Sequence, residues 1–332
     1  MALKSKSLVI VSPALAAANN GNWQTAWRWA RMLSAHYRTD IVPSWPGPHA
    51  RADYDAMIAL HARRSAPSIA AWAARAAHRP LAVVLTGTDL YRDILGDAHA
   101  QRSLQLADRL VVLQDLGVHA LPQPLRSKAC VIYQSCSARQ PLPKTTRHLR
   151  AVMVGHLRDE KQPQLLYAAA RQLRARRDIF IDHIGAPLDA ALAGDAERTA
   201  RDCPNYRWLG ALPHEATRRH IQRAHLLVHV SAMEGGAHVV MEAVRSGTPV
   251  IATRIDGNVG MLGQSYAGYM PTAQGEMLAE MLIEARVTQT DTRAGLLARL
   301  RAQCDARAAL FEPAAEKAAL HALVDALMET PR

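Results

Sequence analysis

The sequence predicts an α/β protein made of two doubly wound, parallel-sheet domains. Three observations predict it. The chain has 332 residues, more than one hydrophobic core usually serves, since cores stop growing near ~250–300 residues. Short apolar runs alternate with amphipathic helical stretches along its whole length, and parallel strands need such crossover helices. A polar, proline-rich stretch at 140–146 divides two similar halves, as a linker would.

The first apolar run is Leu8-Val9-Ile10-Val11, ended by Ser12-Pro13. Four residues suit a buried parallel strand. Lys4 and Lys6 before it and Ala14-Leu15-Ala16-Ala17-Ala18 after it imitate a secretory leader, but the run is shorter than the ~7–15 apolar residues such a leader needs. The chain is therefore read as uncleaved and cytoplasmic. Further strands are expected at 57–60, 81–85, 110–113 and 130–133, with helices at 23–35 and 68–77. The second half repeats the pattern. Strands are expected at 151–154, 179–184, 206–209, 226–230 and 249–252, and helices at 163–175, 214–223, 239–246 and 275–286. A last Ala-rich helix follows Glu312-Pro313, over 314–328. The expected domains are 1–145 and 146–312, facing a central cleft, with 313–332 packing back toward the first. Trp23, Trp27 and Ala30 recur at helical spacing and are expected to be core.

Hydrophobic residues make up 49% and charged residues 21% of the chain, which excludes wholesale disorder and a fibrous repeat. No run reaches the ~18–20 apolar residues that span a bilayer. Forty Lys and Arg against 29 Asp and Glu leave a net charge of +11, which favours anionic partners. Two Phe and 5% aromatics provide few stacking platforms, so nucleic acid is not expected. Cys130, Cys136, Cys203 and Cys304 form no C-x-x-C pair and no zinc spacing, so free thiols in a reducing compartment are expected.

The segment richest in chemistry runs from Ser231 to Ala252. A strand leads into a loop carrying Glu234, Gly235 and Gly236, and then into a helix with Ala237, His238, Val239 and Glu242. Paired glycines admit close backbone approach to a ligand, and their amides join the open N–H groups of the helix start. His238 and Glu242 are four apart and share a helix face. Two carboxylates, Glu234 and Glu242, can accept several sugar hydroxyls. The string Glu-x7-Glu followed by Ala-x3-Gly-x-Pro-Val resembles the donor site of the GT-B glycosyltransferase superfamily that includes glycogen and sucrose synthases. So does Gly155-His156-Leu157-Arg158-Asp159-Glu160-Lys161-Gln162-Pro163, which is similar to that superfamily's strand–Gly-x-Leu–Lys-x-Pro opening. The resemblance implies that Arg158 and Lys161 hold a nucleotide diphosphate, with Gly155 beside them. Two cations at a strand's carboxyl end would neutralise leaving-group charge.

A narrower resemblance spans residues 8–330. Ser12-Pro13-Ala14-Leu15, Asn19-Asn20-Gly21-Asn22-Trp23-Gln24-Thr25-Ala26, Leu85-Thr86-Gly87-Thr88-Asp89-Leu90-Tyr91-Arg92-Asp93 and Glu234-Gly235-Gly236-Ala237-His238-Val239-Val240 resemble the bacterial selenosugar synthases of selenoneine biosynthesis. That family implies attack of selenophosphate on the anomeric carbon of a UDP-sugar, UDP-N-acetylglucosamine in particular. UDP would be released and a 1-selenosugar formed for a later enzyme. The resemblance makes the first domain the acceptor side and the second the nucleotide-sugar side, with Glu234 joining Arg158 and Lys161 in the reaction.

Selenophosphate is already an anion, so a cradle of cations and N–H groups would serve it better than a general base. Candidates are Asn20, Gly21, Asn22, His61, Arg63, Arg64, Thr86, Gly87, Thr88 and Arg92. Thr86 stands where many broad relatives have a His, and Gly260 where many have a Glu. Asp53-Tyr54-Asp55 imitates a metal-binding Asp-x-Asp but precedes a strand instead of following one. No metal and no cofactor beyond the donor substrate are expected, with Arg158 and Lys161 in the ion's place. The alternative reading is a conventional glycosyltransferase with a carbohydrate or lipid acceptor, marked by an apolar or basic face on the first domain.

Overall fold

The computed structural model describes residues 6–13 and 21–329, and its contacts divide the chain into two compact units. The first holds Met1–Ser135, Glu234–Gly236 and Pro313–Arg332, and the second holds Cys136–Met233 and Ala237–Glu312.

In the first unit the order is β1 Ser7–Val11, α1 Gly21–Leu33, β2 Arg38–Val42, β3 Ala56–Leu60, α2 Ala66–Arg75, β4 Leu81–Val84, a π-helical turn Asp89–Asp93, α3 Ile94–Gly96, α4 Ala98–Leu106, β5 Arg109–Val112, α5 Gly117–Ala120 and β6 Ala129–Val131. The strands form one parallel sheet in the order β2-β1-β3-β4-β5-β6. Alternate residues feed opposite faces, as the pleat requires. Val9, Val11, Met57 and Ala59 pack with Ile69 and Trp72 of α2. Leu8, Ile10, Ile58 and Leu60 pack with Trp29 and Leu33 of α1.

The second unit runs β7 Leu149–Val154, α6 Pro163–Gln172, β8 Ile179–Ile184, α7 Ala190–Asp202, β9 Tyr206–Trp208, α8 His214–Arg223, β10 Leu226–His229, α9 His238–Val244, β11 Val250–Thr253, α10 Asp256–Leu262, β12 Tyr269–Met270, α11 Gly275–Val287 and α12 Leu296–Arg307. Its parallel sheet has the order β12-β11-β10-β7-β8-β9. The order reverses between β7 and β10, the place where open α/β sheets bind ligands beyond their carboxyl ends.

The last helix, α13 Pro313–Glu329, belongs to the first unit. Its Leu320, Val324 and Leu327 enter the core of α1. Glu316, 1% exposed, accepts hydrogen bonds from Trp29 Nε1 at 2.7 Å, Arg28 Nε at 2.8 Å and Ser135 N at 2.8 Å. That knot corrects one expectation. α1 buries Thr25, Ala26, Trp29 and Leu33, while Trp27 is 44% exposed beneath the Arg31 guanidinium at 4.7 Å.

Residues 136–145 group with the second unit, although the sequence placed them with the first. Arg218 Nη2 donates to Ser137 O at 2.7 Å and Arg139 N donates to Arg245 O at 2.8 Å, so α8 and α9 hold this stretch. The edge strands β2 and β12 were not anticipated. β2 starts with three polar residues and β12 is two residues long, so neither shows an apolar run. α4, α7, α10 and α12 were also missed. α12 alternates Arg and Leu without a strong stripe, and α10 opens Asp-Gly-Asn, which reads as a turn.

Candidate functional site

β7 and β10 pair in parallel, with Leu227 opposite Val152 and Val228 opposite Met153. Their following loops therefore emerge side by side at the switch point. One backbone hydrogen bond joins them directly, from Ala232 N to Glu160 O at 2.9 Å. This bond ties the loop bearing Arg158 and Lys161 to the loop that leads into α9.

The β7 loop is held in several ways. Gly155 N donates to Ile184 O and Leu157 N to Ala186 O, both at 2.9 Å. His183 lies beneath it in β8, fully buried, with Nε2 3.3 Å from Gly155 O and Nδ1 3.0 Å from the Tyr206 hydroxyl. Burial pushes the His183 pKa down to about 4, only partly opposed by the Gly155 carbonyl. The ring is therefore neutral, with Nε2–H donating to Gly155 and Nδ1 accepting from Tyr206. Asp159–Lys161 form a 3-10 turn, and Gln162 ends it with φ 46°, a left-handed conformation that costs a non-glycine residue about 1–3 kcal/mol.

Lys161 lays its aliphatic stem over Gly155, where a Cβ would meet Lys161 Cδ at 3.4 Å. The Arg158 side chain is 42% exposed, 4.0 Å from Glu160, and its Nε has no hydrogen-bond partner. Sequence reasoning missed His156. Its Nδ1 accepts from Ala186 N at 3.0 Å, and its pKa is lowered first by burial and then by Arg158 and Lys161. A neutral His156 with Nε2–H as donor thus stands beside two cations. The three groups make a donor set suited to phosphate oxygens.

On the other side of the switch point, α9 carries Glu242, 4% exposed. Its Oε1 accepts from His214 Nε2 of α8 at 2.6 Å, a partner the sequence did not signal. His238 and Val239 are half-buried in the first turn of α9. The Ala237 amide donates to Met261 Sδ at 3.2 Å. A hollow of about 270 Å³ opens beyond β10, β11 and β12, lined by Gln162, Ser231, Thr253, Arg254 and Ile255. At Gly260, where broad relatives have a Glu, Arg307 Nη2 donates to the backbone oxygen at 2.8 Å.

Glu234, Gly235 and Gly236 group with the first unit. The glycines there pack closely against neighbouring residues of the same unit. A Cβ on Gly235 would stand 2.6 Å from Thr86 C, and one on Gly236 2.8 Å from Leu113 Cβ. Gly87, with φ 138°, would place a Cβ 2.9 Å from Gly235 N.

The proposed anion cradle of the first unit is likewise largely self-satisfied. The amides of Thr86 and Gly87 donate to Asp89 Oδ1 at 2.8 and 3.0 Å, and Ala62 N donates to Asp89 Oδ2 at 2.9 Å. His61 is 2% exposed and lies 3.1 Å from Thr88 Oγ1. Burial lowers its pKa, against the opposing pull of Asp89, so it presents no surface cation. Arg63 pairs with Asp97 at 2.9 Å and Arg92 with Asp93 at 3.1 Å, while Arg64 is exposed. Gly21 opens α1 with Asn22 half-buried behind it, and Asn20 lies outside the described residues. Asp53 pairs with Arg51 at 2.7 Å, and Asp55 accepts from Ser7 N at 2.7 Å. Both aspartates have structural partners. Among the described residues no cluster of three His, Cys, Asp or Glu could hold a metal ion, and no helix is long and apolar enough to cross a membrane. All four cysteines are free thiols.

The switch-point loops and both flanking helices fall inside residues 137–289, which match the family model "Glycosyl transferases group 1". Over those residues the chain is similar to that family. No curated protein matches the chain significantly. Solved structures share the fold of the domain and of the unit before it. Sucrose-phosphate synthase from Thermosynechococcus elongatus aligns with a TM-score of 0.76 at 16% identity, covering 97% of this chain and 99% of that one. HepE of Anabaena, solved with UDP-glucose, gives 0.74 at 13% identity, covering 96% and 99%. TarM of S. aureus, solved with UDP, gives 0.62 at 13% identity and 83% coverage of this chain, which spans 55% of that longer protein. The fold is that of GT-B glycosyltransferases, with two Rossmann-like units of six parallel strands each.

Proposed function

We propose that the protein is a glycosyltransferase that takes its sugar from a UDP-sugar. One observation carries the proposal: the Ala232–Glu160 hydrogen bond ties the Arg158–Lys161 loop to the loop entering α9. Diphosphate oxygens then meet Arg158, Lys161 and the N–H of His156, while the Glu242 carboxylate accepts hydroxyls. In transfer, the bond from the anomeric carbon to the diphosphate oxygen breaks and its electron pair leaves with UDP. Arg158 and Lys161 stabilise that growing charge more than they stabilise the bound donor, which is how they would accelerate the step.

The acceptor we propose is selenophosphate: its selenium forms a carbon–selenium bond as UDP departs, and attack of water on phosphorus then breaks the selenium–phosphorus bond, releasing phosphate and leaving the 1-selenosugar. This part rests on the sequence resemblance to selenosugar synthases. A second reading, a conventional carbohydrate or lipid acceptor, is favoured by exposed Trp27 with Arg31 above it, an aromatic and basic face on the first unit. One experiment separates them. Purified protein is incubated with UDP-N-acetylglucosamine and enzymatically made selenophosphate, and the products are read by mass spectrometry. UDP together with a 1-selenosugar supports the selenium reading. UDP released only with a carbohydrate or lipid acceptor supports the second. No UDP release with any acceptor removes the glycosyltransferase proposal.

A further inference from the structure

Glu242 is a buried carboxylate with neither Arg nor Lys beside it. Among the described residues its side chain has one hydrogen-bond partner, His214 Nε2 on Oε1 at 2.6 Å, and Oε2 has none. A carboxylate offers about four lone-pair sites, and Oε2 is not among the buried side-chain atoms that lack a partner, so it is reachable from outside the core. An Arg there would grip both oxygens at once. An imidazole engages one oxygen and leaves the other open.

The histidine is itself firmly placed. It is the first residue of α8, directly after Pro213, whose ring fixes the entry angle of the chain. One turn further along, Arg218 is 6% exposed and anchors the same helix face through Ser137, at 2.7 Å to O and 3.0 Å to Oγ. Glu215 is turned to Arg139 and Arg219 and does not compete for the ring. The ring is 49% exposed while its carboxylate partner is 5% exposed, so His214 bridges solvent and a buried acceptor.

We propose that His214 is a positioning residue: it holds one oxygen of Glu242 so that the other is aimed at a hydroxyl of the nucleotide sugar. This rests on the UDP-sugar reading above. The hydroxyl could belong to the ribose or to the transferred sugar, and the test separates these sources.

UDP and UDP-N-acetylglucosamine are titrated calorimetrically into wild type, His214→Ala and His214→Gln, and KM and kcat are measured for the donor. Gln keeps an N–H donor on a side chain of similar reach. The inference expects about tenfold or greater weakening in H214A, the scale of losing a hydrogen bond to a charged group. It expects H214Q within about threefold of wild type, and a rise in donor KM larger than any fall in kcat. Weakening of both ligands assigns the hydroxyl to the ribose. Weakening of UDP-N-acetylglucosamine alone assigns it to the transferred sugar. H214A binding both ligands as wild type does overturns the inference, and so does H214Q as weak as H214A. A variant that merely loses stability shows a lower melting temperature with unchanged affinity below it, which also overturns it. Wild type that binds UDP normally while H214A does too leaves the UDP-sugar reading standing and sinks only His214. Wild type that binds no UDP sinks both.

Discussion

Gly185 follows β8 directly and faces the β7 loop. A Cβ placed there would lie 1.9 Å from Gly155 O and 2.6 Å from Gly155 C. Against an ordinary van der Waals separation of 3.4 Å, Gly185→Ala must open about 1.5 Å between two backbones. No flexible side chain can absorb this. The movement would strain the Gly155 N–Ile184 O, Leu157 N–Ala186 O and Gly185 N–Gly210 O hydrogen bonds and the His183 contact under the loop. Overpacking of this kind costs about 1–3 kcal/mol. A displacement near 1 Å of the segment leading to Arg158 and Lys161 costs turnover about 10²-fold. Thermal melting and steady-state donor kinetics read the two effects. Gly194→Ala in α7 is the control, because its Cβ would meet only Arg198 Nη1 at 3.4 Å. It should be neutral, or stabilising by about 0.4–1 kcal/mol. A G185A enzyme with wild-type melting and wild-type turnover would refute the reasoning that the β7 loop is rigidly seated on β8.

Three further outcomes are expected. Glu316→Ala leaves Arg28, Trp29 and Ser135 without their shared acceptor and should destabilise the protein by about 3–5 kcal/mol, measured by urea denaturation; a loss below 1 kcal/mol would contradict the buried knot. Because the His183 pKa falls from 6.5 to about 4 on folding, the unfolded chain binds its proton first. Its contribution to stability is complete above pH 6.5 and declines through the window down to pH 4, by up to about 3 kcal/mol. His183→Gln should flatten that part of the stability–pH curve, and an unchanged slope would count against the neutral buried ring. Excess EDTA should leave donor turnover intact, whereas abolition reversed by added magnesium would show that Arg158 and Lys161 do not suffice.

Much of this molecule could be read before its structure. The buried parallel strands announce themselves because both of their faces are covered, so Leu8 to Val11 and Ile179 to Ile184 are runs of apolar residues with few interruptions. The loop glycines, Arg158, Lys161 and the Glu234–Glu242 spacing lie within short stretches of chain, and short-range spacing survives in sequence. Edge strands did not show, because Arg38–Val42 is solvated along one side and has no reason to be apolar. Partners that meet only through tertiary packing were invisible too. His214 and Glu242 are 28 residues apart, and His183 reaches Gly155 across the same distance. Trp27 and Trp29 show the limit of periodicity. Both lie on α1, and it is Glu316, almost 290 residues away, that draws Trp29 inward. The anion cradle expected in the first unit shows a related limit. Charge in a sequence reads as available charge, while Asp93 and Asp97 pair with Arg92 and Arg63 and burial lowers the His61 pKa.

The most direct measurement is UDP affinity, by calorimetry, for wild type, Arg158→Ala and Lys161→Ala at matched ionic strength. If the β7 loop grips the diphosphate, wild type binds UDP and each variant loses about tenfold or more, the scale of a charge-assisted hydrogen bond, while melting temperatures stay close to that of wild type. Equal UDP affinity in all three folded proteins would place the diphosphate elsewhere and contradict the proposed site.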